Sequence, residues 1–260
     1  MRDSSALLLL LLALLFSSVA LTAQTPEAGV HATDGGTFER INSIRILPIP
    51  NAPFSSTVTA EWTRTLEDGT SVTTTNYRTV MRDSMGRIFQ ERRTFVPKNG
   101  AEQPKVFRFE ISDPATRVRR TCFAASHVCN VTGYFAPTKV SVQPAGPLDK
   151  NGDRVLTRQD LGQNSMSGLD VTGTLETTTI SIGVIGNDRP ISITKEFWYS
   201  PKLGLNLSVK RVDPRSGMET FTVSDISLAE PDPKYFAVPA GFTFNDHRPG
   251  KQPATSLAVH

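Results

Sequence analysis

The chain has 260 residues, with 28 Lys and Arg against 25 Asp and Glu, a formal net charge of +3. Hydrophobic residues make up 38% and charged residues 20%, a balance that excludes an acidic disordered tail, a collagen-like repeat and a multi-spanning membrane protein. So small a net charge is no electrostatic footprint for a dedicated nucleic-acid binder, and no nucleic-acid partner is expected. The 29 threonines, about one residue in nine, favour strand over helix.

Residues 1–23 combine a short start containing Arg2, an apolar run from Ala6 to Phe16, and a group of small residues. This is the layout of a secretory signal peptide. Ala20 and Ala23 both offer cleavage points, and Ala23 is favoured. A retained anchor wants about 20 predominantly apolar residues, and Ser17, Ser18 and Thr22 interrupt this run. The expected protein is exported, periplasmic or extracellular, with no integral membrane segment after cleavage. Export gives meaning to Cys122 and Cys129, the only two cysteines. In an oxidising compartment such a pair is most simply a disulfide. Six intervening residues match neither a C-x-x-C redox motif nor a zinc knuckle.

Residues 24–36 are small, polar and turn-rich, and read as a flexible lead-in. Strand-length runs follow. Val58, Ala60 and Trp62 alternate with threonines and Glu61, the period of a half-buried strand. Turns at 67–70 and 83–86 lead into Ser71–Met81 and Arg87–Val96. Val106–Ile111 places Phe107, Phe109 and Ile111 on one face, with Arg108 and Glu110 on the other. Runs at Arg117–Phe123 and Val128–Phe135 flank the cysteine hairpin. Residues 136–168, with Pro137, Pro144 and Pro147, read as a long loop. Strand patterns resume at Val171–Ile182, Ile191–Ser200, Leu203–Val212 and Met218–Leu228. In the last of these the apolar parity switches, which predicts a bulge near Ser224-Asp225. Pro231–Phe236 reads as one helical turn, and the chain from Asn245 as a loose tail. The fold class expected is mainly β: a single antiparallel many-stranded meander over 37–244, curved or half-barrelled so that its edges are protected.

The catalytic search is negative: G-x-S-x-G, H-E-x-x-H, Walker A and G-x-G-x-x-G patterns are all missing. No enzyme activity is expected. His31, His127, His247 and His260 fall in loops or ends and read as solvated. Arg92-Arg93 and Arg117, Arg119 and Arg120 concentrate positive charge beside Glu91 and Glu110. They read as a salt-bridged outer face or as a surface for an anionic group. Asn130-Val-Thr132 and Asn206-Leu-Ser208 match the glycosylation pattern, but both lie in strand runs.

One stretch carries specific chemistry: Asp149-Lys-Asn-Gly-Asp-Arg-Val-Leu-Thr-Arg-Gln-Asp-Leu161. It resembles the twelve-residue calcium loop of the EF-hand family. The resemblance implies calcium as cofactor, held by Asp149, Asn151, Asp153, the Val155 carbonyl, Thr157 and Asp160. Arg154 stands where the family has glycine, Asp160 where it has glutamate, and the charges within the loop cancel. These departures imply a weak site. The same residues also read as a turn at Asn151-Gly152 followed by a capping box, Thr157-x-x-Asp160, opening a helical turn.

Two looser resemblances remain. The run Asn187–Pro201 and the ending Glu230–Phe242 look like uncharacterised exported β-rich bacterial proteins. The many-stranded outline is similar to periplasmic carriers of the LolA type, whose half-barrel holds acyl chains. The function expected is an exported, non-enzymatic binding or scaffold protein with a candidate calcium loop at 149–160. Its partner is an undetermined small molecule, lipid or protein. The alternative is a LolA-like carrier of a hydrophobic or lipid ligand.

Overall fold

The structure, a computed structural model, describes residues 31–33, 44–135 and 142–250. The expected signal peptide lies outside these residues, as do most of the lead-in and the end of the tail. The threonine-rich alternation becomes strands. In β1 (Phe54–Thr65) every second residue from Phe54 to Ala60 is buried, so one face meets the core and the other water. The remaining strands are β2 (Ser71–Arg82), β3 (Ile88–Arg93), β4 (Val96–Pro97), β5 (Val106–Asp113), β6 (Val118–Phe123), β7 (Val128–Gly133), β8 (Gly146–Pro147), β9 (Arg154–Met166), β10 (Leu169–Ile180), β11 (Ile191–Ser200), β12 (Leu205–Asp213), β13 (Gly217–Ser227) and β14 (Thr243–Asp246).

They form one sheet in the order β14-β7-β6-β5-β3-β2-β1-β13-β12-β11-β10-β9-β8, with β4 beside β2. The sheet is not closed into a barrel, since β14 and β8 end it at separate edges. Two meanders, β1–β7 and β9–β13, are joined by antiparallel pairing of β1 with β13. Gly217 opens β13 at φ +96°, and a Cβ there would lie 2.1 Å from the Thr63 carbonyl oxygen, so only glycine lets these strands meet. The expected bulge is present: the register shifts between Ser55 and Thr57 opposite Ser227 and Ser224, and Asp225 takes φ +52°. All pairs are antiparallel except β14 with β7, which is parallel.

Three expectations are corrected. The supposed loop 136–168 contains the 13-residue strand β9, continuous with Thr157 and Asp160, so no capping box or helical turn forms there. The tail from Asn245 begins within β14. His31, read as solvated, is 4% exposed and stacks on Phe197 at 3.7 Å. Its Nδ1 faces the Ala32 carbonyl at 2.8 Å, and its Nε2 faces Glu176 at 3.0 Å.

One face of the sheet carries the main core: Phe54, Val58, Val80, Phe197, Leu207 and Phe221, with Ile44 and Ile46 of the preceding segment packed on them. Arg82, fully buried on this face, donates to the carbonyls of Leu47, Ala52 and Leu203 at 2.8, 2.8 and 2.9 Å and so pins that segment. Toward one end of the same face a charged row crosses five strands, Arg158-Glu176-Lys195-Arg211-Glu219, in direct cross-strand register. Burial pushes the Glu176 carboxyl up, but hydrogen bonds from His31 and Arg158 outweigh it and hold the group below its ordinary value. Among the described residues no helix is long and apolar enough to cross a membrane.

Candidate functional site

The reverse face of the sheet supplies a second, smaller apolar surface. Register brings Met81 opposite Phe89, Phe89 opposite Ile111, and Glu91 opposite Phe109. The chain beyond β13 returns across this surface. Glu230 accepts from the Ser84 backbone and hydroxyl at 3.1 Å, anchoring the returning segment at the β2–β3 turn. Asp232 then caps a 3₁₀ turn, Pro233–Phe236, by accepting from the Lys234 N–H at 3.0 Å. Proline suits this first turn, where its missing N–H would have had no partner. Phe236, 6% exposed, packs with Met81, Phe89 and Ile111. The Arg87 guanidinium lies 4.8 Å above its ring. The helical turn expected at Pro231–Phe236 is therefore present in substance.

Past this turn the segment stands off the sheet and leaves a cavity of about 490 Å³. Phe89, Val106 and Phe109 form its floor; Tyr235, Val238 and Pro239 form its opposite wall. The aromatic rings are coupled: Phe89 to Tyr235 at 5.4 Å, Phe89 to Phe109 at 6.0 Å, and Phe109 edge-on to Phe242 at 5.6 Å. Two charged side chains also line it, and both are already engaged. Glu91 accepts from the Thr79 N–H at 3.1 Å and from Arg93 at 3.0 Å. Lys234 pairs with Asp232 at 2.8 Å, which holds the aspartate carboxyl below and the ammonium above their ordinary values. With those groups satisfied, the pocket presents apolar surface and ring edges. Its volume lies within the range of small-molecule sites.

The six expected calcium ligands are not gathered. Asp149, Asn151 and Asp153 remain in a turn, where Asp149 accepts from the Asp153 N–H at 2.8 Å and Asn151 donates to Asp153 at 3.3 Å. Val155, Thr157 and Asp160 run out along β9, opposite Thr179, Thr177 and Thr174. An extended strand advances about 3.3 Å per residue, so Asp160 stands about 20 Å along from the turn. Its carboxylate accepts from the Gly162 N–H at 2.7 Å instead. The donor set does not fit the EF-hand ring. Among the described residues no group of three or more His, Cys, Asp or Glu lies close enough to hold a metal ion.

No family model matches the chain, and no curated protein matches it. Solved structures show slight likenesses. An uncharacterised conserved protein from Thermus thermophilus is 7% identical, covering 75% of this chain and 91% of its own, at a TM-score of 0.38. MucB in the Pseudomonas aeruginosa MucA/MucB complex is 14% identical over 72% of this chain and 56% of that one, at 0.36. A LolA-superfamily protein from Nitrosomonas europaea is 11% identical over 73% and 91%, at 0.25. Likenesses this slight carry no weight for function.

Cys122 and Cys129 are bonded as expected, a buried cross-strand disulfide between β6 and β7. The pocket was not visible in the sequence. Phe109 stands out there as one of an apolar alternation, but the residues across the cavity from it, Tyr235, Val238 and Pro239, lie more than a hundred residues away. The nearest signal is the run Val238-Pro-Ala-Gly-Phe242, whose apolar residues sit outside any strand period.

Proposed function

We propose that the chain is an exported, non-catalytic binding protein that takes a small apolar ligand between β3, β5 and the segment 233–239. The observation that carries this is the aromatic cavity whose two charged lining residues are already paired, leaving shape and apolarity as the means of recognition. The N-terminal apolar run and the Cys122–Cys129 disulfide support export to an oxidising compartment. This reading keeps the hydrophobic ligand of the carrier alternative and places it on the reverse face, away from the filled main core. A calcium clip has no part in it.

The test is titration with the apolar fluorophore N-phenyl-1-naphthylamine. Wild-type protein is expected to enhance its emission saturably. Val106→Glu, which puts a carboxylate into the apolar floor, is expected to weaken binding about tenfold or more. The melting temperature should change little, because Val106 is only partly buried. Equal affinity in the two proteins, or no saturable binding by wild type, sinks the proposal. Mass spectrometry of an organic extract of the purified chain would then identify what it carries from its host.

A further inference from the structure

On the core face of β2, β3 and β5, behind the pocket, arginines stand in a row. Arg92 and Arg108 are directly opposite on β3 and β5. Arg78 lies on β2 two residues before Val80, the last residue there to pair with β3, and is close enough to feel the Arg92 charge. Like charges directly opposite on neighbouring strands oppose pairing, so folding alone gives no reason for the row. Glu110 is the carboxylate that meets it, 3.1 Å from Arg108 and 4.0 Å from Arg92.

Arg78 is the telling member. It is 4% exposed, and among the described residues its Nε and Nη2 have no hydrogen-bond partner. The Phe221 ring centroid lies 5.5 Å from its guanidinium carbon. A buried guanidinium left this way costs free energy unless something else satisfies it. Burial, reinforced by the charge of Arg92 and only partly offset by Glu110, pulls its pKa down to about 10, so it is still a cation at neutral pH. The row also opens outward: the Arg92 and Arg108 side chains are 18% and 35% exposed. The expected alternative, a salt-bridged face, accounts for Arg93 with Glu91 on the reverse side and for Arg92 and Arg108 with Glu110, but among the described residues no carboxylate pairs with Arg78.

We infer that Arg78, Arg92 and Arg108 form a receptor for an anionic group, a phosphate or carboxylate, that enters past Arg108 and seats against Arg78. Planar guanidiniums with several fixed donors suit such oxygens. The group can belong to a free anion or head an apolar chain, because Val58 stands directly opposite Arg78 and Val223 lies beyond Val58 in the same cross-strand row. This site is separate from the apolar pocket and does not depend on it.

The test uses the full chain with inorganic phosphate and dodecyl phosphate at fixed ionic strength, read by calorimetry and thermal shift. Wild type is expected to bind both and to melt higher in their presence. Arg108→Gln, at the open end, is expected to weaken binding about tenfold with little change in fold. Arg78→Met is expected to abolish binding while melting no lower than wild type without ligand, because it removes an unsatisfied buried charge. Affinity at least tenfold greater for dodecyl phosphate assigns the anion to an amphiphile; equal affinities assign it to a free ion. Absence of binding by wild type to either probe overturns the inference, as does undiminished binding by both variants. Naphthylamine binding should be unchanged in both variants, so loss of this site and loss of the pocket are told apart.

Discussion

Arg78 and Arg82 sit four residues apart on β2, facing the same core, and show opposite ways of burying one side chain. Arg82 is fully buried with three backbone carbonyls on its guanidinium and the Phe54 ring 5.1 Å away. Burial pulls its pKa down to about 10, yet its donors are well used. Those bonds tie together three places distant in sequence: Leu47, Ala52 and Leu203. Arg82→Met should therefore destabilise the chain by about 3–5 kcal/mol, since it strands carbonyls that have lost their water. Urea unfolding measures this directly. A loss below about 1 kcal/mol would mean that the segment before β1 is held by Ile44 and Ile46 packing alone. The contrast with Arg78→Met on the same strand separates a structural arginine from one kept for a ligand. In the sequence both are merely charged residues in a strand run, and only the register distinguishes their surroundings.

At the level of elements, what the sequence made legible was parity. Alternation and turn signals together located β1, β2, β5 and β10–β13 to within a few residues, and the parity switch after Val223 marked a real bulge. β9 escaped because most of its residues beyond Leu156 are exposed or only half-buried, so no apolar alternation marks it. Its polar side chains, together with the turn before it, carry the resemblance to a calcium loop. The distinction has a measurable consequence. Calcium at millimolar concentration should give no binding heat and no shift in thermal stability, because ring formation would require β9 to leave β10 from Val155 to Asp160. Heat that disappears in Asp149→Ala would show that the strand does yield to the ion.

Across the whole molecule, stability is unevenly distributed, and this too was hidden from sequence periodicity. The main cluster spans β10–β13 and β1–β3, with Leu207, Val209, Phe221, Val223 and Val58 nearly inaccessible. On β5–β7 the same face instead carries Arg108, Glu110, Thr121 and Asn130 in cross-strand register. That end of the sheet relies on the small reverse-face cluster around Phe89, Ile111 and Phe236, and on the disulfide. Regions with few buried apolar contacts open at lower free energy than the global transition. Hydrogen exchange should thus be slowest in β12, β13 and β1, and measurably faster in β6 and β7. The disulfide closes a short loop and is worth about 2–3 kcal/mol by constraint of the unfolded chain. Removing it with Cys122→Ala and Cys129→Ala should accelerate exchange in β6, β7 and the parallel-paired β14 first, leaving the β12–β13–β1 amides at their original rates under native conditions. Uniform acceleration along the chain would instead make the sheet one cooperative unit, with the polar end no weaker than the apolar one.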